Sequence, residues 1–102
     1  MTRNVHEALK IFEKIDPKLL KLIEDTRDFA MADGALPGKF KLLIAMALDA
    51  AHGKVEGTRE LAQQAMAAGA TREQVTEALR VTQYVGGAQS MFTSGRGLKE
   101  LF

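Results

Sequence analysis

Between Pro37-Gly38 and Gly53 the chain runs through Phe40, Leu42, Leu43, Ile44, Met46 and Leu48, interspersed with Ala. This segment, read as a helix from Lys39 to about Ala51, has almost no polar face. A helix that is apolar nearly all round must be surrounded by protein. In a chain of 102 residues that covering is easier to supply if another subunit contributes, so the pattern points to oligomerisation. A chain of this length is one domain, 1–102, able to bury roughly 60 to 70% of its unfolded surface without a disulfide or metal staple.

The other segments read as helices too, which gives an all-α fold class. Val5, Ala8, Leu9 and Phe12 recur at helical spacing and predict a short amphipathic helix from Val5 to Lys14. Asp16 before Pro17 is a helix start, because Asp caps free amides and Pro at the first helical position has no amide to leave unpaired. The helix it opens should reach about Met31, with Leu19, Leu20, Leu22, Ile23, Phe29 and Ala30 inward. Asp33, Gly34, Pro37 and Gly38 mark a loop.

Gly53 stops the apolar helix. A further helix follows from about Lys54 to Ala68, with Glu56 and Glu60 in its early turns where the helix dipole favours negative charge, and Gly69 ends it. Thr71 and Gln74 form a T-x-x-Q capping box, opening a helix with Val75, Ala78, Leu79 and Val85 inward and Gly86-Gly87 at its close. In the last segment, Ala88 to Phe102, Gly95 and Gly97 each cost about 1 kcal/mol relative to Ala inside a helix. They predict a bend or a close subunit contact.

Composition removes several kinds of chemistry. The chain has no Cys, which excludes a disulfide framework, a thiolate nucleophile, a CxxC pair and thiolate metal sites. The net charge of +1 comes from interspersed acids and bases, so nucleic acid is not an expected partner. The apolar run Leu42 to Leu48 is too short to span a bilayer, and Met1 to Glu7 lacks a signal-peptide core. No membrane partner and a cytoplasmic location are the expectations.

The order Leu36-Pro37-Gly38-Lys39, apolar helix, Gly turn, small-residue helix ending Ala67-Ala68-Gly69-Ala70-Thr71-Arg72-Glu73-Gln74, then Tyr84-Val85-Gly86-Gly87 resembles the carboxymuconolactone decarboxylase and alkylhydroperoxidase AhpD superfamily. The resemblance covers about Leu36 to Gln89. It implies an AhpD-like bundle of about six helices assembling into homo-oligomers, trimers or hexamers, through its apolar helices. It further implies a peroxidase site built from a CxxC at the start of the helix after the Gly turn, a His one turn on and a Glu in the preceding helix. Here the Cys positions are Lys54 and Gly57, the His position is Leu61, and the Glu position is Leu42. Neither peroxide attack nor that proton relay is expected. The decarboxylase branch, which also lacks the Cys pair, resembles this chain more closely in function. Its members have Arg at the position of Lys54 and His at those of Glu56 and Leu61, so only the positive charge survives.

A replacement constellation is present. Asp49, His52, Glu56 and Glu60 would form one stripe if the helix continued through Gly53. Imidazole exchanges protons near neutral pH, and a neighbouring carboxylate orients it as a general base. His52 and Glu56 are therefore the candidate catalytic pair, Lys54 the anion anchor, and Tyr84 a candidate contact to a small acidic or carbonyl ligand. No cofactor is implied, and a metal site of Asp49, His52 and Glu56 is not expected, since one His with carboxylates is a generic set. The structural reading of the same residues is the solvated face of an amphipathic helix, and Tyr84 reads as packing. The first reading gives a decarboxylase-like lyase or binding protein acting without thiols, and the second a non-catalytic oligomeric module. Met31, Met46, Met66 and Met91 read as core or interface filler, and His6 as a solvent contact.

Overall fold

The computed structural model describes residues 6–102. Its elements are a 3-10 turn at Glu7–Leu9 and the helices α1 (Phe12–Ile15), α2 (Pro17–Met31), α3 (Gly38–Ala51), α4 (Val55–Ala67), α5 (Arg72–Gly86) and α6 (Ala88–Leu98). No strand occurs among the described residues. The chain divides into two compact units, one ending at Ala32 and the other running from Asp33 to Phe102.

In the first unit the helix expected over Val5–Lys14 is replaced by the 3-10 turn and the one-turn helix α1; Val5 lies outside the described residues. His6, which is exposed, accepts from the Ala8 amide through Nδ1 at 3.0 Å and so starts that turn. Asp16 caps α2 as the sequence indicates, its Oδ1 accepting from the Leu19 amide at 3.0 Å. The inward face of α2 is narrower than expected. Leu20 is buried and Ile23 half-buried, but Leu19, Leu22, Phe29 and Ala30 are exposed, Phe29 by 87%. Apolar residues lie on two sides of α2, and the side carrying Leu20 and Ile23 also buries Glu24.

In the second unit α3 packs against α4, α5 and α6. Leu43, Met46, Ala62, Ala65, Ala70, Val75 and Leu98 form the core cluster. The capping box is complete: the Thr71 hydroxyl accepts from the Gln74 amide at 3.1 Å, and the Gln74 side chain accepts from the Thr71 amide at 3.0 Å. On α5, Val75 and Thr82 are buried and Leu79 is half-buried, while Val85, expected inward, is 80% exposed; 75, 79 and 82 follow the helical stripe and 85 lies at its edge.

The two glycines of α6 behave differently from one another. A Cβ on Gly97 would lie 2.8 Å from the Val55 carbonyl oxygen, whereas one on Gly95 meets nothing within 4 Å. The close approach at Gly97 is made within the chain, helix α6 against the start of α4, and not between subunits as the sequence suggested. The face of α6 that achieves this is Ser90, Thr93, Ser94 and Gly97, all buried. Its hydroxyls donate to carbonyls of their own helix or its cap, for example Ser94 to Ser90 at 2.8 Å and Thr93 to Gln89 at 3.2 Å. Small side chains let the helices approach, and back-bonding removes the cost of burying unpaired hydroxyls.

Candidate functional site

The sequence places its candidates at the turn between α3 and α4, where the backbone reverses at Gly53. That residue has φ +77°, a conformation open to glycine and costly for residues with a Cβ. The turn is closed by the Lys54 amide donating to the Asp49 carbonyl at 2.9 Å and the Gly53 amide donating to Ala50 at 3.2 Å. The helix therefore does not continue through Gly53, and Asp49, His52, Glu56 and Glu60 do not share one helical stripe.

His52 caps the C-terminus of α3. Its Nδ1 lies 2.7 Å from the Leu48 carbonyl oxygen. A carbonyl only accepts, so this contact places the proton of a neutral ring on Nδ1 and leaves Nε2 as the free basic nitrogen. Glu56, in the first turn of α4, is ion-paired to Arg59 one turn on. It does not hydrogen-bond to His52. Lys54 is the N-cap of α4 and offers no side-chain cap. All three side chains are exposed, as is Tyr84 on α5, which is 87% exposed. The turn thus brings His52 and Lys54 within two residues of each other but keeps imidazole and carboxylate on separate partners.

One further feature of the turn was not legible in the sequence. The Asp49 carboxylate packs directly on Gly57 in the first turn of α4, and a Cβ at residue 57 would overlap its Oδ2. This sets a negative charge beside the positive end of the α4 dipole. Leu42 and Leu61 are half-buried and pack on the core cluster. Four cavities open elsewhere, along α5 and α6 and between α3 and α5, and His52, Lys54, Glu56 and Tyr84 line none of the four. Among the described residues no three His, Asp or Glu side chains gather as metal ligands, and no helix is long and apolar enough to cross a membrane.

With this geometry known, the sequence matches the profile of the carboxymuconolactone decarboxylase family over residues 17–96. The chain belongs to that family. A solved structure agrees: a carboxymuconolactone decarboxylase family protein from Legionella pneumophila, in its apo form, is 34% identical. It superposes with a TM-score of 0.83, covering 90% of this chain and 82% of that one. No curated protein matches the chain. This carboxymuconolactone decarboxylase family member has no Cys, and Lys54, Gly57, Leu42 and Leu61 stand at the positions where the resemblance alone would place a peroxidase site. Leu42 and Leu61 pack against the core cluster.

Proposed function

We propose that this family member binds a small acidic or carbonyl metabolite at the α3–α4 turn, without thiol chemistry. The observation that carries the reading is the fixed His52 ring: Nδ1 is held by Leu48, so Nε2 is presented outward, two residues from the Lys54 ammonium. A positioned imidazole beside a cation is the minimum needed to hold a carboxylate or polarised carbonyl and exchange a proton with it. Tyr84 is read as a further ligand contact and Glu56 as a carboxylate that joins when Arg59 releases it. Turnover, where it occurs, would be of the decarboxylase-like lyase type.

Exposure of all four side chains requires a second surface to enclose a ligand. We assign that role to another copy of the chain in a trimer or hexamer. The chain is read as one domain, because the family match at residues 17–96 crosses the division at Ala32, and as a cytoplasmic protein. A thermal-shift screen of small carboxylic acids and carbonyl compounds should find a stabilising ligand. His52→Ala should then weaken its binding by roughly tenfold or more. Unchanged affinity would remove His52 from the site.

The second reading is a non-catalytic oligomeric module. It is favoured by one observation, that the candidate residues line none of the four described cavities. It predicts that the screen finds no ligand whose stabilisation depends on His52 or Lys54.

A further inference from the structure

Helices α5 and α6 fold back on each other at Gly87, and along the seam between them runs a trough in two adjoining halves of about 360 Å³ each. Each half is within the size range of small-molecule pockets. The floor is apolar: Leu79, Met91, Leu98 and Phe102. The Phe102 ring is backed by the Arg72 guanidinium, 4.7 Å from its centroid.

Two features separate this trough from an ordinary crevice between helices. The first is its charge. Among the described residues, the charged ones lining the two halves are Lys99 and Arg80, and no carboxylate lines either half. Neither cation has an ion-pair partner among the described residues. Glu73 and Glu77 line a neighbouring opening that meets the trough at Thr76 and Arg80, and neither lines the half that Lys99 borders. The second is Gly95, which borders the trough. It sits inside α6, where glycine is unfavourable relative to alanine, and a Cβ there would meet nothing within 4 Å. Packing does not demand this glycine, in contrast to Gly97 two residues on. A side chain at residue 95 would instead stand at the edge of the trough.

We propose that the trough is a binding site for a small amphipathic carboxylate, a medium-chain or aryl acid whose apolar body lies on Leu79, Met91, Leu98 and Phe102 and whose carboxylate meets Lys99. Removing the apolar body from water supplies the driving force, and the unpaired ammonium selects an acid over a neutral molecule of the same shape. The site is separate from the α3–α4 turn and does not depend on the reading given to His52.

Octanoate is a suitable probe, titrated into the full chain and followed by the methyl resonances of the methionines. Met91 is half-buried on the trough floor, whereas Met46 is fully buried in the core. The expected result is a saturable shift of the Met91 methyl with Met46 unmoved. Octanol should bind on the order of tenfold more weakly, and Lys99→Ala should lose a similar factor for octanoate only. Gly95→Leu should abolish binding without lowering the melting temperature, and His52→Ala should leave octanoate binding at the trough unchanged. Binding that ignores charge, that survives Gly95→Leu, or that leaves Met91 unmoved would overturn the proposal. So would a change in sedimentation coefficient with Gly95→Leu, because the trough would then be an interface between copies.

Discussion

Asp49 and Gly57 touch across the α3–α4 turn, and that contact restricts what position 57 can carry. A methyl group there requires the Asp49 carboxylate to rotate away from the first turn of α4. Gly57→Ala should therefore destabilise the chain when Asp49 is present and do so less, or not at all, in the Asp49→Ala background. A double-mutant cycle in urea should return a coupling of about 0.5 to 3 kcal/mol, the range for side chains in direct contact. Additivity would show that the carboxylate moves freely. The same contact means that converting Lys54 and Gly57 to Cys would place a thiol in space that Asp49 occupies. At this scale the sequence was partly readable. The absence of Cys and the apolar character of Leu42 and Leu61 are visible in it. The packing of Asp49 on Gly57 is not, because it joins residues eight apart across a reversal whose geometry depends on Gly53. The pairing of Glu56 with Arg59 was equally hidden, since a carboxylate in a first turn has several partners within reach.

At the scale of the helices, punctuation was the most legible signal. Asp16-Pro17, Gly53, Gly69, the Thr71–Gln74 box and Gly86-Gly87 all lie at or beside helix ends, because caps act through their own backbone neighbours and need no distant partner. Burial was less legible. Val85 and Phe29 look like core residues and are exposed, while Ser90, Thr93 and Ser94 look like surface residues and are buried. Hydropathy cannot anticipate that α6 meets α4 through a face chosen for small volume. The two α6 glycines give a paired prediction measured by chemical denaturation. Gly97→Ala forces a methyl group against the Val55 carbonyl and should cost about 1 to 3 kcal/mol. Gly95→Ala, with open space around it, should gain up to about 1 kcal/mol from helix propensity. Equal effects at the two positions would contradict the close α4–α6 approach.

On the scale of the whole molecule, α3 is the element that demands most explanation. Leu43, Met46 and Ala50 are buried in the second unit, yet Phe40, Ile44 and Leu48 remain exposed at successive turns, Ile44 by 49%. Val81 of α5 adjoins Phe40 and Ile44 around an apolar cavity of about 260 Å³. The requirement that an all-apolar helix be covered is thus met on one side only by this chain, and self-assembly is the proposed cover. Ile44→Lys, at an exposed position that leaves the core intact, should shift the sedimentation coefficient to that of a smaller species with the helical content unchanged. An unaltered coefficient would remove this face from the assembly.

This family member, which contains no Cys, is read as working without thiol chemistry. Hydroperoxide consumption by the purified chain with a dithiol donor tests this most directly. The prediction is a rate equal to that of donor and peroxide alone at every protein concentration. A rate that rises in proportion to the chain, in contaminant-free material, would contradict it.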